Sequence, residues 1–459
     1  MPDSIPEEPL QGSTAPAAVR IRSSAWVFAA QIAKTAMSIP VGIILARTLG
    51  AGGKGSVSVV QTVSAVAVVL LNLGMPNAVM WLAAKGRATG RQALKMAMLL
   101  AAGVAAAGTI AVFVIGPDRA ARLIGLDTAA LLAVAIFATV PSMISYFEDA
   151  YLVGRGVVRD TQITDVTALA IQFAAMGMLA LTHHLTIVVA VFVWLACTTG
   201  ATAFKAFLVL RGGRAAREPG VRQLWVEGRA YGLKAWLGST VNLLSLRQDV
   251  LLLAAFAGTR QVGIYTVGVA AAELAWYIPN ALQGVATAKF SAEEDSLELA
   301  QRLNRSVWPF TLAFSLVVFA VAAPLIPLVY GSAFAGSILP LAFLLPGILA
   351  TSMSSSLSAW LSGRGHPGDP AFANVVNMGV NLVANIILTP RLGARGAALA
   401  SSISYSAATA LILWRFQKRS GSRLSDALVP RSSDLRAMAG IMSSALKQRI
   451  RTSEKADGQ

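Results

Sequence analysis

The sequence contains repeated stretches of about 20 apolar residues, the length that an α-helix needs to cross the hydrocarbon core of a bilayer. Residues within these stretches do not alternate between apolar and polar types, as they do in the strands of a membrane β-barrel. The segment SAVAVVLLNLGM, residues 64–75, is an example. Because a backbone in hydrocarbon must satisfy its hydrogen bonds internally, the stretches are predicted to be transmembrane helices.

Twelve such stretches occur between residues 24 and 416, so the predicted fold class is an all-α polytopic membrane protein. The composition agrees, because only 13% of the residues are charged, whereas soluble domains contain about 25%. The predicted spans are residues 24–46, 57–81, 93–116, 128–153, 162–182, 185–210, 230–257, 262–288, 306–330, 338–362, 370–389 and 396–416.

The two ends of the chain differ from this apolar region. Residues 1–20 are rich in proline and acidic residues and lack the basic and apolar regions of a cleavable signal, so they are predicted to be a disordered cytoplasmic tail. Residues 417–459 form a polar, basic tail. Within it, residues from Ser433 to Arg451 place apolar side chains on one helical face and cations on another, which predicts an amphipathic helix at the membrane surface.

The formal net charge of +16 would suggest a nucleic-acid partner in a soluble protein. The distribution of the cations gives another explanation. With the N-terminus in the cytoplasm, the cytoplasmic loops and tails hold 27 Lys and Arg residues, and the opposite loops hold 7. This bias follows the positive-inside rule. Both termini are therefore predicted to be cytoplasmic, and no nucleic-acid partner is expected.

Two pairs of similar segments indicate an internal duplication. YLVGRGVVRD (151–160) is similar to WLSGRGHPGD (360–369) at an offset of 209 residues. LARTLGAGGKG (45–55) corresponds to LAAFAGTRQVG (253–263) at an offset of 208. Two separate segments that share an offset within one residue predict a repeated structural unit.

The duplication divides the chain into two lobes of six predicted helices. The first lobe is residues 21–211, the second is residues 225–416, and a basic cytoplasmic linker, residues 212–224, joins them. Because six is an even number, both lobes enter the membrane from the same side. This predicts a parallel repeat about an axis normal to the membrane, in which a site between the lobes opens alternately to either side.

The Gly-Arg-Gly segments lie at the predicted cytoplasmic ends of the fourth and tenth helices. Arg155 and Arg364 are candidates for a gate at the cytoplasmic mouth, or for binding an anionic headgroup there. Alternatively, each is a snorkelling cation whose flanking glycines allow the turn. Glu148 and Asp149, which close the fourth helix, are interpreted as a cap or an ion pair near Arg155.

Four charged residues lie deep within the predicted helices: Lys34, Arg247, Asp249 and Glu273. Charges within the membrane usually face a cavity or a partner, because burying them alone is costly. Lys34 and Arg247 are in the first and seventh helices, which the repeat makes equivalent, and a cleft lined by both would suit a pyrophosphate. Alternatively, Asp249 or Glu273 neutralises one of these cations and the pair holds helices together. Arg247 and Asp249 are two positions apart and do not face each other.

Three longer segments resemble one known family. They are LARTLGAGGKGSVSVV after the first helix, LRQDVLLLAAFAGTRQVGIYTVG across the seventh and eighth, and WLSGRGHPGDPAFANVVNMGVNLVANIILTPRLGARGAALASSIS near the end. They are similar to the polysaccharide-transport (Wzx-type) flippases of the multidrug, oligosaccharidyl-lipid and polysaccharide (MOP) exporter superfamily. The resemblance extends over residues 21–416.

This resemblance implies two six-helix lobes in a V that rock to move a polyprenyl-pyrophosphate-linked oligosaccharide between the leaflets of a bacterial cytoplasmic membrane. It also implies contacts with membrane lipids, and a polysaccharide polymerase and glycosyltransferases as partners. A cation-coupled exporter of small molecules, using Asp249 or Glu273, and a flippase for lipid II are the alternatives.

An enzyme that acts on lipid-linked sugars is not expected, because it would need a large external loop. The longest predicted external loop, residues 117–127, has about 11 residues. GAGGKG at 50–55 does not match a nucleotide-binding phosphate loop, since glycine follows the lysine. No cofactor and no metal are expected.

We expect a cysteine placed in the loop at residues 211–229 to be protected from a membrane-impermeant thiol reagent in intact cells, because this loop holds five cations and is predicted to be cytoplasmic. The experiment uses a background in which Cys197, the single native cysteine, is replaced by serine. Asp118→Cys, in an opposite loop, is the control that should react. Labelling of the 211–229 loop in intact cells would refute the topology.

Overall fold

The structure is a computed structural model of the chain. It describes residues 17–126, 128–211, 220–292 and 296–431. The predicted amphipathic helix lies outside these ranges, as do most of the predicted N-terminal tail and most of the linker.

Nearly all the described residues are helical, and there is no strand among them. The helices of the first half are α1 (Ala17–Leu71), α2 (Met75–Ala84), α3 (Gly90–Ile115), α4 (Pro117–Leu123), α5 (Ala129–Gly154), α6 (Val158–Leu181) and α7 (Ile187–Arg211). Those of the second half are α8 (Val221–Ala292), α9 (Leu297–Tyr330), α10 (Ile338–Ser352), α11 (Ser355–Gly363), α12 (Gly368–Leu392), α13 (Ala394–Ser420) and α14 (Leu424–Leu428), with a 3-10 helix at Ser332–Ser337.

Ten continuous helical segments of the described chain are long and apolar enough to cross a membrane. Two of them, in α1 and α8, are each divided by a kink into two arms. The ten segments therefore account for the twelve predicted spans. The predicted all-α polytopic membrane fold is confirmed.

Local signals in the sequence set where several helices begin. Before α3, the Thr89 side chain accepts a hydrogen bond from the Gln92 N–H, and the Gln92 side chain accepts one from the Thr89 N–H. This reciprocal pair satisfies two of the N–H groups that have no partner within the helix. Before α5, Thr128 Oγ1 accepts from the Leu131 N–H at 3.4 Å. A threonine side chain thus marks the start of each of these two spans.

Both of the longest helices bend at a glycine. Gly50 in α1 has φ 67° and ψ −172°, and Gly258 in α8 has φ 81° and ψ 170°. Glycine adopts a positive φ without the steric penalty of other residues, so each glycine fixes the point where one span ends and the next begins. The two positions are 208 residues apart, the offset found between the similar segments.

The two Gly-Arg-Gly segments end α5 and α11 with the same backbone geometry. In each, three successive N–H groups, beginning with Arg155 or Arg364, donate to carbonyl groups of the last helical turn. Gly156 and Gly365 follow with φ of 80° and 83°, as glycines do at the end of a helix. The shared geometry supports the duplication, and the limits of the two lobes stay a prediction.

The halves approach most closely where the second arms of α1 and α8 meet. A Cβ at Gly55 would lie 1.8 Å from the carbonyl oxygen of Thr259, and one at Gly263 would lie 1.9 Å from that of Ala51. At the offset of 208, Gly55 corresponds to Gly263 and Ala51 to Thr259, so the two contacts are equivalent with the halves exchanged. Glycines allow backbones to approach this closely. The contact lies directly after the kink at Gly50, at the end of the first arm of α1 that is farther from the N-terminus.

A second contact between the halves lies near the other end of these helices. A Cβ at Gly74 would lie 1.9 Å from the carbonyl oxygen of Gly232. Trp236 also donates its indole N–H to the carbonyl oxygen of Val69 at 2.9 Å. The segment that joins α1 to α2 is therefore packed against the first arm of α8.

The short helix α14 docks against α9 through side-chain-to-backbone hydrogen bonds. Asn304, Arg305 and Trp308 of α9 donate to the carbonyl groups of residues 426–428, with distances of 3.1 Å from Asn304 and 2.9 Å from Trp308. Asn304 is fully buried. These bonds satisfy buried polar groups and attach the chain after α13 to the second half.

We expect Gly263→Ala to destabilise the protein, because the added Cβ would overlap the carbonyl oxygen of Ala51. Overpacking of this kind costs about 1–3 kcal/mol. The measurement is the Tm of the purified protein in detergent, and Gly55→Ala should lower it similarly. Gly103→Ala is the matched control, since a Cβ there meets nothing within 4 Å. Equal Tm values for all three variants would contradict the close contact.

Candidate functional site

Three adjoining cavities lie between the halves and beside them. One of about 400 Å³ lies between the arms of α1 and α8, one of about 420 Å³ lies between α1, α6 and α8, and one of about 490 Å³ lies within the second half. Glu273 lines all three, and Arg247 lines the first and the third. Because they share these residues, we describe the three cavities together as the central cleft.

Arg247 is exposed in the central cleft. Among the residues that the structure describes, no carboxylate forms an ion pair with its guanidinium group. Asp249, two positions along the helix, is buried. Arg247 therefore presents its positive charge to a cavity that Asp249 and Glu273 also line, without a direct ion pair to either.

The Asp249 carboxylate is held by donors within α8. It accepts a hydrogen bond from the Tyr265 hydroxyl, and another from the Val250 N–H at 2.8 Å. Within the described chain, neither Asp249 nor Glu273 forms an ion pair with Arg247 or with Lys34. The charge of Arg247 nevertheless acts on both carboxyl groups, so the alternative in which one of these acids neutralises a cation stays open beside the cargo site.

Lys34 has a different carboxylate partner. Its ammonium group lies 2.7 Å from Oδ2 of Asp165 in α6 and donates to Oε1 of Gln162 at 3.0 Å. Lys34 and Asp165 both line the 420 Å³ cavity, with side chains 26% and 27% exposed. Lys34 thus lines the central cleft and is paired with Asp165, and its role in binding cargo stays a prediction.

Asp165 also binds a second lysine, Lys205 of α7. The Lys205 side chain is 1% exposed, and its Nζ lies 2.6 Å from Oδ1 of Asp165 and 2.7 Å from Oδ1 of Asp149. Lys34, Asp165, Lys205 and Asp149 form a chain of ion pairs across α1, α6, α7 and α5, which we call the charge cluster. Its two cations and two anions balance. Asp149 therefore pairs with Lys205 and not, as the sequence suggested, near Arg155.

Lys54 is a further cation of the central cleft. The sequence places it in an external turn, because glycines surround it, but the helix resumes directly after Gly50. Lys54 is 8% exposed, lines the 400 Å³ cavity and donates to Thr266 Oγ1 at 2.9 Å. Within the described chain it has no carboxylate partner. Lys54 and Arg247 therefore line the same cavity, and within the described chain neither forms a direct ion pair.

The second half contains a buried ladder of amides and hydroxyls. Asn381, Asn385 and Thr389 lie at every fourth position of α12, on one helical face. Asn385 donates to Asn381 Oδ1 at 3.0 Å, Thr389 donates to Asn385 Oδ1 at 2.8 Å, and Gln248 of α8 donates to Asn381 Oδ1 at 2.9 Å. These bonds hold α12 against α8 without any ion pair.

Arg155 and Arg364 lie at helix ends, are exposed, and line none of the three cavities. This position suits a cation that snorkels to the interface, and a role at the cytoplasmic mouth stays a prediction for both.

Lys34 and Arg247 lie in equivalent helices but not at equivalent positions. At the offset of 208, Lys34 corresponds to Asn242 and Arg247 corresponds to Ile39.

Three charged residues of the site were not predicted from the sequence: Lys54, Asp165 and Lys205. A signal for two of them was present. Asp165 and Lys205 are opposite charges within consecutive predicted spans, and such charges usually pair across helices. No comparable signal pointed to Lys54, because the position of the kink decides whether it lies in a turn or a helix. Within the described chain, no cluster of acidic, histidine or cysteine residues could hold a metal.

The sequence matches the family model for polysaccharide biosynthesis proteins over residues 21–290, which is more than half of the chain. The chain belongs to this family. The matched region includes the first half, the linker and nearly all of α8, and so it contains Lys34, Lys54, Arg247 and Glu273. No curated protein matches the sequence.

Solved transporter structures share the fold of this polysaccharide biosynthesis family member. The lipid II flippase MurJ in an inward closed conformation superimposes with a TM-score of 0.67 at 12% identity, over 86% of this chain and 87% of that one. An inward-facing multidrug resistance MATE family transporter of the MOP superfamily gives a TM-score of 0.64 at 15% identity, over 85% and 96%. An outward-facing one gives 0.54 at 17% identity, over 88% and 96%.

At these identities the likeness shows the fold, which is that of the MOP superfamily transporters.

We expect Asp165→Asn to destabilise this family member more than Lys34→Gln does, because Asp165 contacts two lysines and Lys34 contacts one aspartate. Loss of one partner from a buried ion pair costs about 3–5 kcal/mol. The measurements are membrane abundance and the Tm in detergent. The control is Asp160→Asn, an exposed carboxylate of the same helix. Equal effects of the Asp165 and Asp160 variants would contradict the charge cluster.

Proposed function

We propose that the protein is a flippase that moves a polyprenyl-pyrophosphate-linked oligosaccharide across the bacterial cytoplasmic membrane by alternating access. Membership of the polysaccharide biosynthesis family supports the glycan pathway, and the fold supports transport. The observation that carries the proposal is Arg247, a cation exposed in the central cleft and without an ion pair among the described residues.

The pyrophosphate is the part of such a cargo that crosses hydrocarbon least readily. A desolvated anion is very costly in an apolar medium unless fixed charges replace its hydration. Arg247 would bind phosphate oxygens in a bidentate manner, while Lys54 would add a point charge from the same cavity. Lys34 would contribute more weakly, because Asp165 already neutralises part of its charge.

The transport cycle follows from where the halves are closed. One tight contact, at Gly55 and Gly263, lies at one end of α1 and α8, and a second, at Gly74 and Gly232, lies near the other end. The second contact is on the side predicted to be cytoplasmic. We infer that cargo enters the cleft from the cytoplasmic leaflet when the contact at Gly74 and Gly232 opens, and that separation of the contact at Gly55 and Gly263 releases it on the other side.

A second candidate, a cation-coupled exporter of small molecules, is favoured by Glu273. This carboxylate lines all three cavities and has no ion pair within the described chain. It would bind a cationic molecule or a coupling ion. The excess of cations over free acids in the same cleft favours the anionic cargo.

Arg247→Gln is expected to reduce flipping at least about tenfold, the loss of about 1.4 kcal/mol of binding. Arg247→Lys should retain part of the activity, because lysine keeps the charge but cannot bind two oxygens in a fixed fork. The assay reconstitutes the protein in liposomes with a fluorescent polyprenyl-pyrophosphate oligosaccharide and measures its accessibility in the outer leaflet. Lys234→Gln is the matched control, an exposed cation of α8 that lines none of the three cavities.

The variants also separate a cargo site from a structural one. Normal membrane abundance with lost flipping supports cargo binding by Arg247. Normal flipping by Arg247→Gln would refute it, as would rescue of Arg247→Gln by Glu273→Gln, which would indicate a charge pair. Transport of cationic dyes that depends on Glu273, without flipping of the glycolipid, would support the exporter.

The two glycolipid cargoes considered, a polyprenyl-pyrophosphate-linked oligosaccharide for polysaccharide synthesis and lipid II, share the pyrophosphate and differ in the attached sugar. Complementation therefore distinguishes them. Restoration of surface polysaccharide in a strain that lacks its polysaccharide flippase is the expected result. Restoration of growth in a strain depleted of its lipid II flippase would assign the peptidoglycan precursor instead.

A further inference from the structure

Glu148 of α5 is a carboxylic acid buried without a partner. Its side chain is 1% exposed. Neither of its two carboxylate oxygens has a hydrogen-bond partner in the described chain. Buried polar groups are nearly always paired, so an acid in this state requires an explanation.

Packing alone does not explain why a carboxylic acid occupies this buried position. At the offset of 209 given by the Gly-Arg-Gly segments, the position equivalent to Glu148 is Leu357, which is fully buried. The second half therefore fills this position with a residue that has no charge and no polar atom. A leucine in the first half would avoid the cost of burying a carboxyl group.

The charge cluster beside Glu148 is complete without it. Lys205 contacts Asp149, Asp165 and the Ser145 hydroxyl, at 2.7, 2.6 and 3.2 Å. The cluster has two cations and two anions, so an ionised Glu148 would add an unbalanced negative charge in a buried site. The neutral, protonated acid is the form that these surroundings favour.

The groups around Glu148 come from several helices. Lys205 of α7 and Asp149 of α5 are the charged groups that act on its carboxyl. Behind them lie Asp165 of α6 and Lys34 of α1, which complete the charge cluster. The charged residues of the other described helices that pack against α5 are exposed; they are Lys85, Arg91, Lys95, Asp118, Arg119 and Arg122.

We propose that Glu148 is the proton-binding group through which a transmembrane proton gradient drives transport, an inference that rests on the transport function proposed above. In the conformation described here Glu148 holds the proton. When the first half exposes this site to water, the acid releases its proton to water and becomes a carboxylate.

The charge cluster connects the charge state of Glu148 to the central cleft. An ionised Glu148 competes with Asp165 for Lys205. Asp165 is at present bonded to Lys205 through Oδ1 and to Lys34 through Oδ2. Loss of the first bond loosens α6 from α7 and leaves Asp165 bonded to Lys34 of α1. Because Lys34 and Asp165 line the cleft, the charge on Glu148 changes the wall that faces the cargo.

The first test measures the proton itself on the purified full-length protein. Infrared spectroscopy detects the C=O stretch of a protonated carboxylic acid. The expected result is a band that is present at neutral pH, disappears at alkaline pH, and is absent from Glu148→Gln. Glu148→Asp should shift the band if the glutamine variant does not fold. The matched control is Glu227→Gln, which removes a carboxylate already paired with Arg87 at 2.9 Å. A band that is unchanged in both Glu148 variants would overturn the proposal.

The second test measures coupling in proteoliposomes with the fluorescent glycolipid. Wild-type protein should accumulate cargo in one leaflet when a pH gradient is imposed. Glu148→Gln, which mimics the protonated acid, should still equilibrate cargo without a gradient but should lose at least about tenfold of the gradient-driven accumulation. Equal gradient-driven accumulation by both proteins would refute coupling through Glu148.

The two tests separate the proton site from the cargo. If wild-type protein moves no glycolipid under any condition, the proposed function fails, and the infrared band still shows whether Glu148 carries a titrating proton. If glycolipid is flipped but the band is missing, the flippase function holds and the proton site is wrong.

Discussion

The backbone contact between the second arms of α1 and α8 is the constraint on which the arrangement of the halves depends. It requires glycine at positions 55 and 263, because any larger residue would meet a carbonyl group of the other half. Helices that approach this closely have their separation set by the backbone. The kinks at Gly50 and Gly258 then direct the first arms away from this contact. The space between those arms is the central cleft.

The charge cluster of the first half and the ladder along α12 of the second satisfy buried polar groups by different chemistry. The first half uses a balanced cluster of lysines and aspartates, in which Asp165 bridges two cations. The second half uses amides and hydroxyls along α12, bonded to one another and to Gln248. Hydrogen bonds between neutral groups change little with pH, whereas an ion-pair cluster responds to one additional charge. The charge cluster is therefore more sensitive to proton binding than the ladder along α12.

The fold and the repeat could be predicted from sequence because both rest on local signals. Apolar runs of membrane length gave the twelve spans, and glycine at helix ends produced the similar segments around Arg155 and Arg364. The geometry at Gly156 and Gly365 also explains why those segments resemble each other without any role for the arginines. A helix-end requirement alone is sufficient to preserve such a pattern.

The pairing of charges could be predicted only in part. Lys34 and Arg247 were identified as deep cations from their position within apolar runs. Which acid faces Lys34 depends on how α6 is rotated against α1. The positions of the spans in the sequence do not determine this rotation. Asp249 was considered as one possible partner of the cations, and its hydrogen bond from the Tyr265 hydroxyl, 16 positions along the chain, was not predicted. No signal in the sequence indicated that Glu148 is buried, because an acid near a helix end is usually exposed.

The docking of α14 onto α9 fixes residues 424–428 against the second half. Three side chains of α9 hold the carbonyl groups of residues 426–428, so this segment follows the second half as one body. A fluorophore attached near residue 431 would report the tilt of the second half. Together with a second fluorophore at the start of α3, it would allow the distance between the two halves to be followed in single molecules as they rock.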